Sequence, residues 1–139
     1  MSAHILIVDD HEIVRRGLRS LLASRPEWTI CGEAADGCEA IEKAQSLRPD
    51  IVLMDISMPR MDGLSATQIL RRQLPETQIV IISQNDPSIV QPQAQEVDAA
   101  AFVAKSDLSR SLLTTLDRVV GERAAKSAKG GSRTAQAAD

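Results

Sequence analysis

Ile51-Val52-Leu53-Met54-Asp55-Ile56-Ser57-Met58-Pro59-Arg60-Met61-Asp62-Gly63 is the stretch that decides the fold of this 139-residue chain. Four consecutive apolar side chains run into an acid and then into a turn-forming segment with Pro59 and Asp62-Gly63. A continuous apolar run reads as a strand covered on both faces, the habit of parallel sheets. The pattern recurs at Ile5-Leu6-Ile7-Val8, Thr29-Ile30-Cys31, Ile79-Val80-Ile81-Ile82 and Ala101-Phe102-Val103.

Helical spacing fills the gaps. Val14, Leu18, Leu21 and Leu22 share one face, as do Ala40, Ile41, Ala44 and Leu47. Ala66, Ile69 and Leu70 repeat less purely, and Leu108, Leu112, Leu116 and Val119 form the clearest stripe, with Ser106 or Asp107 placed to cap it. Breakers such as Arg25-Pro26, Asp36-Gly37, Arg48-Pro49 and Leu74-Pro75 separate the elements. Five β-α repeats with right-handed crossovers predict an α/β fold: a doubly wound, flavodoxin-like (βα)5 parallel sheet of order 2-1-3-4-5. Pro92 interrupts the fourth helical segment, so a short, bent or mobile helix is expected there.

Residues 3–120 form the expected domain, and residues 121–139, without a large apolar side chain, are expected to be a flexible tail or linker. Residues 1–120 hold 12 Lys+Arg against 17 Asp+Glu, whereas 121–139 hold four against two. An acidic body gives no electrostatic case for nucleic acid, and the chain has one Trp and one Phe to act as stacking platforms. No apolar run is long enough to span a membrane and no signal segment opens the chain, so a cytoplasmic location is expected. Cys31 and Cys38 lack metal-ligand spacing and read as small buried or half-buried residues.

In an open parallel sheet, functional groups gather at the carboxyl ends of the strands. Here those ends carry Asp9 and Asp10, Asp55, Ser83 and Lys105, while the second strand offers no comparable group. Three carboxylates in one crevice call for a cation, and an all-oxygen set suits Mg2+. With Mg2+ and Lys105 the charges cancel, leaving a site that tolerates a phosphoryl group on a carboxylate nucleophile. Singly each residue has a plainer reading: Asp9-Asp10 as a helix-capping turn, Lys105 as a surface charge, Phe102 as packing. His11 reads as a surface or capping residue and Trp28 as packing before the second strand.

Val8-Asp9-Asp10-His11, the segment from Asp55 to Gly63, Ile82-Ser83 and Phe102-Val103-Ala104-Lys105 resemble the receiver domain of bacterial two-component response regulators. The segments 32–37 and 48–52 resemble the branch often joined to a LuxR-type helix-turn-helix. The resemblance implies Asp55 as phosphoacceptor, phosphorylated by a histidine kinase or phosphotransfer protein. It implies Mg2+ held by Asp9, Asp10, Asp55 and the Ser57 carbonyl, phosphoryl binding by Ser83 and Lys105, and a switch through Ser83 and Phe102. It also implies a homodimer on phosphorylation; the chain reads either as a stand-alone receiver or, as the branch resemblance favours, as part of a regulator whose transcriptional output and DNA binding lie in a domain outside this sequence. Enzymatic activity would be limited to self-phosphorylation from a donor and autodephosphorylation. Ser57 stands where asparagine is common, Ser106 where proline is, and Phe102 where tyrosine is. Gln84, Asn85, Pro92 and Gln93 are unusual in the signalling segment. Two alternatives stay open: an interaction module that signals without phosphorylation, prompted by that segment, and a Mg2+-dependent phosphatase. Against the phosphatase, Asp9 and Asp10 are adjacent and no cap insertion is present. A flavodoxin-like nucleotide binder would need a phosphate-cradling loop where Asp9-Asp10-His11-Glu12 stands.

Overall fold

The computed structural model describes the backbone of residues 2–137 and the side chains of residues 2–125. Five strands alternate with five helices: β1 (Ala3–Val8), α1 (Glu12–Leu22), β2 (Trp28–Ala34), α2 (Gly37–Leu47), β3 (Ile51–Asp55), α3 (Gly63–Gln73), β4 (Gln78–Ser83), α4 (Pro87–Glu96), β5 (Ala101–Ala104) and α5 (Leu108–Ala137). The strands form one parallel sheet of order β2-β1-β3-β4-β5, the order expected from the sequence.

Alternation along the strands sorts the core into two layers. Ile5, Ile7, Leu53, Val80 and Ile82 point to one face, where Leu18 and Leu22 of α1 and Leu112, Leu116 and Val119 of α5 cover them. Leu6, Val8, Val52, Met54 and Ile81 point to the other, against Ala40 and Ala44 of α2, Ala66 and Leu70 of α3, and Val90 and Ala94 of α4. Small alanines let α2 and α3 approach the sheet closely. Each fully buried Leu or Ile contributes about 1.5–3 kcal/mol relative to exposure.

Two expectations change, for β2 and for Cys38, and α4 is the shortest of the five helices. β2 spans Trp28–Ala34, longer than the apolar triplet, because its pairing with β1 shifts between Ile5 and Leu6 and continues through Gly32 and Glu33. Helix α4 accommodates Pro92 and runs ten residues: Pro87 sits in its first turn, Asp86 caps it by accepting from the Ser88 N–H, and buried Val90 and Ala94 anchor it. Cys38 is exposed, while Cys31 is half-buried. Helix α5 continues past residue 121 to Ala137, and Arg123 pairs with Asp50 at 2.9 Å. Trp28 joins the core as expected, its ring 5.0 Å from the Arg25 guanidinium.

Candidate functional site: an acidic cleft at the strand ends

Asp9 follows β1 directly and is fully buried. Its N–H donates to the Ala34 carbonyl, and its Oδ1 accepts the His11 N–H at 2.9 Å. That side-chain turn fixes the carboxylate at the sheet edge instead of leaving it to solvent. Asp55 ends β3 in the neighbouring position and is 3% exposed, and Ser83 ends β4 and is buried. Lys105 opens the single 3-10 turn after β5 (Lys105–Asp107) and reaches back over the edge. Its Nζ lies 2.9 Å from Asp9 Oδ2 and 3.1 Å from Asp55 Oδ1.

Burial pushes the Asp55 carboxyl up, the charges of Asp9 and Asp10 add to that, and Lys105 only partly opposes them, leaving a pKa of about 6. Burial pulls the Lys105 ammonium down, but its hydrogen bonds and charge interactions with Asp9 and Asp55 outweigh that and hold its pKa above the usual lysine range. Asp9 and Asp55 share Lys105, and with Asp10 beside them the formal balance is −2, the charge a divalent cation would neutralise; among the described residues, the side chains close enough together to hold a metal ion are Asp9, Asp10 and His11. Asp55 Oδ2 is buried and accepts no hydrogen bond, while buried Asp9 Oδ2 and Asp10 Oδ1 have only the ion-pair contacts of Lys105 and His11. Buried carboxylate oxygens without donors are costly, so oxygen ligands of this kind fit a hard cation. A cleft of about 20 Å3 lined by His11, Asp55, Ser57, Ser83, Gln84 and Lys105 lies beside them.

Asp9, Asp55, Ser57, Ser83 and Lys105 thus gather at one edge of the sheet with Asp10 beside them, whereas Phe102 packs in the core layer below. Ser83 Oγ accepts the Asn85 N–H at 3.0 Å, and Phe102 is half-buried against the α2–α4 layer of the core. Two neighbours were not foreseen. His11, expected to be a surface or capping residue, sits at the N-cap position of α1 with its side chain exposed and makes no side-chain cap. Its Nδ1 instead lies 3.3 Å from Asp9 Oδ1 and 3.1 Å from Asp10 Oδ1, because the turn after β1 points the ring back at the acids. Gln84 lines the cleft as the residue after Ser83; position alone could have signalled it.

The response regulator receiver domain family matches residues 5–117. The transcriptional regulatory protein YhcZ of Bacillus subtilis is 40% identical over 112 residues, covering 80% of this chain and 52% of that protein. The chain thus spans about half the length of such curated relatives. Among solved structures, a LuxR-family two-component response regulator from Aurantimonas sp. SI85-9A1 superposes with TM-score 0.83 at 34% identity, covering 88% of each chain. The CheX–CheY–BeF3–Mg2+ complex of Borrelia burgdorferi matches with TM-score 0.79 at 27% identity over 84% of this chain and 88% of that one. No helix among the described residues is long and apolar enough to cross a membrane. With the acidic cleft, the strand order and these matches together, the chain belongs to the receiver domain family of two-component response regulators.

Proposed function

We propose that this chain is a phosphorylatable switch in which Asp55 accepts a phosphoryl group from a histidine kinase or phosphotransfer protein. The observation that carries the reading is the Asp55 carboxylate itself: one oxygen faces Lys105, and the other is buried without a donor beside Asp9 and Asp10. With a pKa of about 6, Asp55 is mostly ionised at neutral pH and available as a nucleophile. Its free oxygen attacks the donor phosphorus as the phosphorus–nitrogen bond of the phosphohistidine breaks, and the donor imidazole leaves with the electron pair.

Asp9, Asp10 and Asp55, with the Ser57 carbonyl, would hold Mg2+, which supplies charge neutralisation on the phosphoryl oxygens. The Lys105 ammonium pairs with one of those oxygens, trading part of its contact with Asp55. The Ser83 hydroxyl, already positioned by the Asn85 N–H, donates to another. Moving Ser83 toward the phosphoryl group frees space beside β4 and β5, and Phe102 turns into it. The new charge therefore biases the α4–β5 surface, which transmits the signal. Phosphorylation promotes homodimer formation, and output proceeds through a DNA-binding domain of the full-length protein, in the cytoplasm. That half-length coverage of transcriptional regulators supports a separate output domain.

Incubation with acetyl phosphate tests the reading. A phosphate-affinity gel should resolve a slower band that needs Mg2+ and disappears in Asp55→Asn. An undiminished band in that variant would overturn the assignment of Asp55.

A further inference from the structure

The second strand contributes no side chain to the acidic cleft, yet its carboxyl end grips both loops that form it. On the β1 side, Arg15 of α1 donates through Nε to Glu33 Oε1 at 2.9 Å and through a terminal nitrogen to the Asp9 carbonyl at 2.5 Å. Arg19 completes the grip with a second bond to Glu33. On the β3 side, the loop that carries Ser57 is tied to the β2–α2 turn at two points. The Gly37 N–H donates to the Met61 carbonyl at 3.0 Å, and the Arg60 guanidinium pairs with the Asp36 carboxylate.

Each half of that second contact shows commitment. Asp36 is 1% exposed and is fixed by capping α2: its Oδ1 accepts the Glu39 N–H at 2.8 Å, and Glu39 reaches back to the Ala35 N–H at 2.7 Å. Arg60 holds a left-handed backbone at φ 67°, a conformation that costs a bulky residue energy and needs surrounding contacts to persist. Gly37 is there because nothing larger fits, since a Cβ would lie 2.7 Å from the Met61 carbonyl oxygen. A flexible surface loop would need none of this.

We propose that the Asp36–Arg60 pair is a positioning clamp that holds the β3–α3 loop, and with it the Ser57 carbonyl, in the geometry a divalent cation requires. Asp36 and Arg60 touch no reacting atom. They act by restricting the loop before the ion arrives, so that less ordering remains to be done on binding. Arg60 is 75% exposed, which keeps the pair's strength modest through solvent screening. The inference rests on the Mg2+ site of the switch reading, though its own effect is on the loop.

The test is a Mg2+ titration of the 139-residue chain followed by backbone amide NMR, alongside urea unfolding in EDTA. Arg60→Ala should weaken Mg2+ binding about threefold. It should also speed amide exchange between residues 57 and 61 in the metal-free protein and lower the urea midpoint only slightly, because Asp36 keeps the Glu39 N–H bond. Asp36→Asn, which keeps the capping oxygen but loses the charge, should match it, and the double variant should be no weaker than either single one. Arg60→Lys should recover most of the affinity. Wild-type Mg2+ affinity and wild-type loop exchange in Arg60→Ala would overturn the clamp. The two readings fail separately: a chain that takes up no phosphoryl group defeats the switch, while loop exchange in EDTA still judges the clamp.

Discussion

Replacing Asp55 by asparagine should stabilise the metal-free protein at neutral pH. In the fold this carboxyl is pushed from 3.8 up to about 6 by burial and by the Asp9 charge. Ionised Asp55 therefore penalises the folded state. Its favourable contribution is complete below pH 3.8, declines as pH rises, and is lost once pH passes about 6. The interval from 3.8 to about 6 corresponds to about 3 kcal/mol at pH 7.5. The asparagine side chain gives up the 3.1 Å contact with Lys105, but Lys105 keeps Asp9 at 2.9 Å, so an observed gain of about 1–3 kcal/mol is expected. Urea unfolding in EDTA measures it. The gain should be largest at pH 7.5, fall to about half at pH 5, and nearly vanish at pH 4. Saturating Mg2+ should reverse the order, because the cation binds the folded wild-type carboxylates. A pH-independent difference, or an asparagine variant less stable in EDTA at pH 7.5, would refute the electrostatic account of the cleft.

Two further substitutions probe neighbouring parts of the site. Lys105→Met keeps the apolar stem but removes the one cation between Asp9 and Asp55, so the Asp55 carboxyl should titrate still higher in a carbon-detected NMR pH series; an unmoved titration would place Lys105 elsewhere. Gly63→Ala should cost at least about 3 kcal/mol in thermal or urea unfolding, because its Cβ would fall 1.9 Å from the Asp55 carbonyl oxygen, which is backbone and cannot yield; a wild-type midpoint would contradict the loop geometry.

The sheet was legible because four of its strands are short apolar runs bounded by turn residues, whereas β2 showed only its apolar triplet because Gly32 and Glu33 break the run. Asp9, Asp55, Ser83 and Lys105 were legible because each follows such a run directly. What escaped depends on direction rather than position. His11 read as a surface or capping residue, and only the turn after Asp9 shows its ring aimed at the acids. The work of β2 was hidden because Asp36 and Gly37 read as a generic turn, and their partners Arg60 and Met61 lie 24 residues away in sequence. Pro92 signalled a disrupted helix, yet the burial of Val90 and Ala94 outweighs the one hydrogen bond it removes.

The most direct measurement is 19F NMR of the protein with beryllofluoride, which mimics a phosphoryl group on a carboxylate. Acidic side chains sharing one divalent ion next to Lys105 predict a bound resonance in the wild type that requires Mg2+ and is absent from Asp55→Asn. A bound resonance that persists in EDTA, or that survives in Asp55→Asn, would contradict the account.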